Sequence, residues 1–379
     1  MNILFFINCD TIYGANLSMF DLIDGLEKLN HGCYIIAYKE GVATREFRKR
    51  NIPYGIVPYN VCAHVDGVFT KKHEFNLLKE NIFLLGKIKE FIHLWDIDII
   101  HTNASNVNIG AMAALRYGVP HIWHIRELLL EDYQLRYDFP MIDNFLMQRA
   151  YKVIAISDFV KNKRKLMQHN VIALPDGLAI SKYAVKRKTP LFSDGMIRIL
   201  FCGAIIESKG VMDVVQAVDL LVNKYNMSNV ILDIAGVAGD IYAQMMSFIK
   251  QKNLAQYINY LGHQNDLLPL RKKADIAVVC SRNEGLGRVT IESMLSENLV
   301  IGANAGCTKD LISYGKNGIL YQVSDAEDLA EKIRLSYNNP VEGKNIIKRA
   351  KRYALKHFDN EKYAKHMADI YRGALVGRI

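Results

Sequence analysis

Short apolar runs of strand type alternate with stretches of helical periodicity along nearly the whole 379-residue chain. This alternation predicts an α/β protein built on parallel sheets covered by helices. Two further observations divide the chain in two. Its length is more than one ordinary hydrophobic core fills. The alternation also restarts after Met196, past the segment Lys186-Arg-Lys-Thr-Pro-Leu-Phe-Ser-Asp-Gly195, whose charges, Pro and Gly suit a linker. The expectation is two Rossmann-like domains, residues 1–178 and 179–359, facing across a cleft, with a helix at about 360–379 packing back on the first. Ligands of such sheets sit at the carboxyl ends of the strands.

The first run, Met1-Asn-Ile-Leu-Phe-Phe-Ile-Asn8, is apolar but has no basic n-region and no small-residue cleavage site, so it reads as a buried strand over 3–8. Further strands are expected at 33–38, 97–101, 121–124 and 153–156, linked by helical periodicity such as 17–29 and 82–95. After the linker, strands are expected at 197–202, 230–235, 258–261, 276–280, 299–303 and, behind an Asn317-Gly318 turn, 319–323. No apolar run reaches the roughly 18 residues that a membrane-spanning helix needs. The six cysteines (Cys9, Cys33, Cys62, Cys202, Cys280, Cys307) lack paired metal-ligand spacing. They point to a reducing, cytoplasmic setting without structural zinc.

Charge is uneven. Residues 179–379 carry 28 Lys and Arg against 20 Asp and Glu, a net of +8 out of the chain's +9. Lys344, Lys348, Arg349, Lys351, Arg352 and Lys356 cluster on a predicted helix, a pattern that suits a solvated face or an anionic membrane surface. No helix-turn-helix, zinc-finger or RNP-type signature accompanies them, so nucleic acid is not an expected partner.

The most informative segment is Ser281-Arg-Asn-Glu-Gly-Leu-Gly-Arg-Val-Thr-Ile-Glu292. It places Glu284 on a loop between a strand and a helix, and Glu292 about two turns into that helix. Gly285 and Gly287 permit close approach of the backbone, and free N–H groups at a helix start favour an anion such as a diphosphate. The turn that also contains Leu286, Arg288 and Val289 is therefore assigned to the donor. The Glu292 carboxylate suits a pair of ribose hydroxyls. In Ile199-Leu-Phe-Cys-Gly-Ala-Ile-Ile-Glu-Ser-Lys-Gly210, Gly203 keeps a strand end open and Lys209 stands at the mouth of a helix, where it can neutralise a leaving diphosphate. Tyr13-Gly14-Ala15 opens a helix after the first strand and offers backbone amides to the same ligand. Pro120-His-Ile-Trp-His-Ile-Arg-Glu127 gathers polar groups at a strand end; His121 and His124 fall on opposite faces, so one at most reaches a ligand, and His101 is a further candidate. Asn304-Ala-Gly306-Cys-Thr-Lys-Asp310 is another glycine turn into a helix.

With these residues in place, the chain resembles the retaining glycosyltransferases of the GT-B fold, family 4. The family's glutamate pair matches Glu284 and Glu292, its lysine-glycine phosphate site Lys209-Gly210, its later glycine turn Gly306, and its early turn Gly14-Ala15. Ala155-Ile-Ser157 and Pro175-Asp-Gly177 resemble the end of the family's first domain. The resemblance implies metal-independent transfer of a sugar from a UDP- or GDP-sugar to a glycan or lipid-linked acceptor, with no cofactor beyond the donor substrate. It also implies a bacterial surface polysaccharide or glycolipid pathway at the inner face of the membrane. In that scheme Lys209 stabilises the diphosphate, Glu284 contacts the sugar, Glu292 holds the ribose and His124 is the cleft histidine, with Arg126 as its competitor for that position. The chain departs from the family at Ala204, where an arginine is usual, and Arg288 is the expected substitute. Two alternatives stay open: an inactive sugar-nucleotide-binding partner subunit, and an epimerase of the same architecture. A dinucleotide dehydrogenase is disfavoured, because Asn8-Cys-Asp-Thr-Ile-Tyr-Gly14 is no Gly-x-Gly-x-x-Gly turn.

Overall fold

The computed structural model describes residues 1–377 apart from 9–11, 13 and 188, with every side chain but that of Asp132. Cys9 and Tyr13 of the sequence reading, Lys188 of the expected linker and the last two positions of the expected final helix lie outside the described residues. The chain forms two compact units, Met1–Leu178 with Asn360–Ile379, and Ala179–Asp359.

The strands of the first unit are β1 (Asn2–Phe6), β2 (Gly32–Ala37), β3 (Tyr54–Ile56), β4 (Ala63–Val65), β5 (Ile99–Thr102), β6 (His121–Ile125), β7 (Leu135–Tyr137), β8 (Lys152–Ala155) and β9 (Val171–Ala173). Seven make a parallel sheet in the order β3-β2-β1-β5-β6-β8-β9, and β4 pairs with β7 in a separate antiparallel ribbon. Helices cover both faces of the sheet, so its central strands are apolar on both sides, and Ile3 to Phe6 are fully buried. One face packs on the helix Gly14–Glu27 and on the C-terminal helix Asn360–Val376. Tyr363, Ala364, Met367, Ala368, Tyr371 and Ala374 recur at helical spacing and bury that side of the C-terminal helix. The two helices meet closely because Gly25 faces Ala364 where a side chain would collide. The other face packs on Lys71–Leu94 and Ile109–Tyr117.

The second unit continues with β10 (Ile197–Cys202), β11 (Val230–Ala235), β12 (Ile258–Gly262), β13 (Ile276–Val279), β14 (Leu299–Ala303) and β15 (Ile319–Tyr321), all parallel, in the order β12-β11-β10-β13-β14-β15. The chain runs outward from β10 to β12 and then crosses to β13. The gap between the carboxyl ends of β10 and β13 is therefore the switch point, where ligands of such sheets bind. In the first unit the equivalent point lies between β1 and β5.

Three expectations about elements need correction. β3 and β9, each three residues long at a sheet edge, carry too short an apolar run to stand out, as do β4 and β7. The helix expected over 82–95 begins eleven residues earlier at Lys71, behind a Thr70 cap whose hydroxyl accepts from the His73 amide at 3.2 Å. The basic helix Pro340–His357 does not present six equivalent cations: Lys351 pairs with Glu297 at 2.7 Å, and Arg349 with Glu342 at 2.7 Å. No helix of the described residues is long and apolar enough to cross a membrane.

Candidate active site

The groups that converge in the second unit do so because glycines let loops cross strand ends without Cβ atoms. β10 ends at Cys202, and the Gly203 carbonyl lies where any side chain on Gly236, after β11, would sit. The chain then makes a short 3-10 turn, Glu207–Lys209, and enters the helix Val211–Asp219 through Gly210, whose φ of +64° is left-handed. A side chain at Gly210 would strike the Cys280 carbonyl at the end of β13. This crossing carries Lys209 over the loop that follows β13, and its Nζ donates to Glu284 Oε1 at 2.6 Å. The sequence placed these two residues 75 positions apart, and the structure brings them together.

Burial works against charge on Glu284, yet the Lys209 ammonium, together with hydrogen bonds from Lys209 and Ser281, outweighs it and holds the carboxyl below its usual range. From the other side, Gly306, at φ +55°, lets its turn close on the Glu284 backbone: a Cβ there would sit 2.6 Å from the Glu284 nitrogen. The Cys307 amide completes the clamp by donating to the Glu284 carbonyl at 2.9 Å. Glu284 is thus fixed through both its backbone and its side chain.

The helix Arg288–Leu295 starts behind Gly287, at φ +79°. Glu292 is its fifth residue, in the second turn rather than two turns in, because the helix begins at Arg288. Its carboxylate is also more enclosed than the sequence suggested. Glu292 Oε2 accepts from Arg271 Nη2 at 2.6 Å, and Oε1 lies 3.4 Å from Arg288 Nε. Arg288, the expected substitute for the missing arginine, directs its guanidinium to Glu292 and to the Tyr183 hydroxyl, 3.2 Å away. Gly203 and Gly285 are half-buried, whereas Leu286 lies in the interior.

In the first unit, Gly14 is exposed at the start of its helix, with open space where a side chain would stand. The expectation that His124 faces a ligand does not hold: its ring is fully buried, stacked with His101 at 5.6 Å between centroids and 3.7 Å from Asp176. Burial and the adjacent Arg126 charge hold it well below the usual histidine range, so it is neutral. His121 faces the opposite side as expected, bonded to the Thr102 hydroxyl at 2.8 Å, and burial lowers it to about 3. Arg126 is committed to a buried ion pair with Asp176, whose other oxygen accepts from Tyr363 of the C-terminal helix at 3.0 Å. Toward the strand ends, Glu127 accepts from the Ser105 amide at 2.8 Å and from Asn8 at 3.4 Å, joining the ends of β1, β5 and β6.

Sequence reasoning did not single out Arg271 or Gly236, and it quoted Ser281 and Asp176 within motifs without giving either a role. Gly236 left a local signal, a glycine directly after a strand, and Arg271 left none. Among the described residues, no group of three or more His, Cys, Asp or Glu is placed to hold a metal ion.

The crossing of β10 and β13 thus holds a lysine against the first of two glutamates on a glycine turn. Residues 184–353 match the family described as Glycosyl transferases group 1, and residues 12–166 match Glycosyltransferase Family 4. The chain belongs to this family of glycosyltransferases. It is 26% identical over 77% of its length to an uncharacterised glycosyltransferase of Methanocaldococcus jannaschii, covering 79% of that protein. It is 25% identical over 61% of its length to the capsular polysaccharide biosynthesis glycosyltransferase CapM of Staphylococcus aureus, covering 64% of it. Among solved structures, Anabaena HepE in complex with UDP and glucose superposes with a TM-score of 0.79 at 19% identity, covering 98% of this chain and 100% of that one. A glycosyltransferase from Rickettsia africae does so with a TM-score of 0.80 at 20% identity, covering 99% and 98%. The fold is GT-B.

Proposed function

We propose that this glycosyltransferase moves a sugar from a nucleoside diphosphate sugar, UDP-linked in the first instance, to a glycan or lipid-linked acceptor, with retention of anomeric configuration and without a metal ion. The observation that carries the reading is the Lys209–Glu284 pair at the β10/β13 switch point. Lys209 is the cation that takes up charge as the diphosphate leaves, a role that a preorganised ammonium fills without metal. Glu284, clamped and ionised, accepts hydrogen bonds from the sugar hydroxyls, and Glu292 receives the ribose. The leaving phosphate oxygen takes the acceptor's proton. The UDP and glucose in the HepE complex, and the capsule-synthesis role in the name of CapM, support a UDP donor and a surface-polysaccharide acceptor. The first unit binds the acceptor in this reading. The exposed Lys344, Lys348, Arg352 and Lys356 favour contact with an anionic membrane, placing the protein on its cytoplasmic side.

Calorimetric titration of UDP, GDP, ADP and their common sugar derivatives against wild type and Glu292→Ala tests the donor assignment. Selective binding that the variant loses supports it. No binding by any nucleotide overturns it in favour of a non-catalytic role. Proton NMR of the first-formed product reads the anomeric outcome, and inversion would refute the retaining mechanism.

A further inference from the structure

Glu292 is met from two sides by guanidinium groups, and the second of them, Arg271, has an energetic peculiarity. Its side chain is 1% exposed, and among the described residues its ion-pair partner is Glu292, through Nη2 at 2.6 Å. Nε and Nη1 of the same guanidinium have no acceptor among the described residues. Burying an arginine with two of its donor nitrogens unsatisfied is unfavourable, and a packed apolar pair in place of Arg271 and Glu292 together would serve stability at least as well. Its backbone is nonetheless held firmly: the Asn298 side chain donates to the Arg271 carbonyl at 2.8 Å and to the Ala274 carbonyl at 2.8 Å. The ion pair lies beside the end of β10, since both Arg271 and Glu292 act electrostatically on Cys202, the residue before Gly203. A costly charge, rigidly mounted on the helix Leu268–Lys273 and directed at one carboxylate beside the switch point, is explained by what it does to that carboxylate.

We infer that Arg271 is a positioning residue of the donor site: it occupies the inner oxygen of Glu292, locks the carboxylate rotamer, and leaves Oε1 to be shared between Arg288 and the incoming nucleotide. The inference rests on the reading of Glu292 as a nucleotide contact. It assigns the ordering of that contact to a cation 21 positions earlier in the chain, and leaves Arg288 as the neighbour that yields when ligand arrives.

The test uses the full chain and UDP, GDP and ADP as probes, each titrated calorimetrically against wild type, Arg271→Met, Arg271→Lys, Glu292→Gln and the Arg271→Met/Glu292→Gln double variant, with thermal melting alongside. Loss of a charged hydrogen bond that orders a ligand contact predicts nucleotide affinity weakened by roughly 10- to 100-fold in Arg271→Met. Arg271→Lys should recover part of this. The double variant should be no weaker than Glu292→Gln alone, because a residue that acts through Glu292 has nothing left to act on. Arg271→Met should melt below wild type, because it leaves the Glu292 carboxylate buried with Arg288 as its remaining cation, and the double variant should recover part of that loss. Wild-type affinity in a folded Arg271→Met overturns the inference and leaves the donor reading intact. So does a double variant in which the two losses add. If Arg271→Met does not fold, Arg271→Lys carries the test: an affinity between those of wild type and Glu292→Gln supports the inference, and wild-type affinity overturns it. If wild type binds none of the three nucleotides, the donor reading and this inference fail together.

Discussion

Replacing Lys209 by Met removes the ammonium that sits 2.6 Å from Glu284 and keeps an apolar chain of similar length. Stability should barely respond. The lysine and glutamate side chains are 32% and 16% exposed, so water screens the pair and its net contribution is about 1 kcal/mol or less. The sign of its pH dependence follows from the lowered folded-state carboxyl: that contribution is present above the usual 4.5 and is lost as pH falls through the folded value. In the variant, burial is opposed only by Ser281, so the Glu284 carboxyl moves up. On the role proposed for Lys209, catalysis should respond far more strongly, because negative charge on the departing diphosphate would grow toward the transition state with no ammonium there to meet it. Loss of one preorganised group of this kind costs roughly 10²- to 10³-fold in kcat. The assay is steady-state transfer from the donor identified by titration, with kcat and donor KM measured across the neutral pH range and thermal melting run in parallel. Lys209→Arg, which restores charge in a different shape, should recover part of the rate. A folded Lys209→Met enzyme within about threefold of wild-type kcat would refute the role given to this lysine.

Other expectations are read first in stability. Burial pushes the Asp143 carboxyl up to about 7, against hydrogen bonds from Asn108 and Cys62. The folded protein therefore keeps a proton that the unfolded chain has released, and stability falls as pH rises from 3.8 through about 7. Asp143→Asn should remove up to about 4 kcal/mol of that loss, seen as a melting temperature that no longer drops toward neutral pH; an unchanged wild-type slope in the variant would contradict this. Gly306→Val adds a Cβ 2.6 Å from the Glu284 nitrogen at a left-handed φ, so it should cost about 1–3 kcal/mol in chemical denaturation and weaken donor affinity with it. Tyr371→Phe leaves His101 Nδ1 without the hydroxyl now 2.6 Å away in a fully buried site, and should lower stability by about 1–2 kcal/mol without altering donor KM.

Two α/β units and the strand-end turns that carry Lys209, Glu284 and Glu292 were legible in the sequence, because they rest on local signals: apolar runs, turn glycines and motif spacing. The segment 186–195, expected as the linker, instead lies inside the second unit, where Leu191 and Phe192 join the core and Arg187 pairs with Asp275. The short edge strands were not legible, since three residues carry no periodicity. His124 misled for a related reason. Its position in a strand is visible in the sequence, but whether a strand face looks into the core or toward an opening depends on what packs on it. Here the C-terminal helix closes that face, with Tyr371 bonded to His101 and Tyr363 to Asp176.

What the sequence determined by itself was the fold class and the inventory of polar groups at strand ends, because hydrophobic periodicity and backbone freedom are properties of neighbouring residues. The tertiary structure alone decided who partners whom. Gly210 and Gly306, by letting loops cross strand ends, set Lys209 against Glu284. The packing of the helix Leu268–Lys273 set Arg271 against Glu292, a pairing with no local signature, because an ion pair between separate helices forms only once both have docked on the sheet.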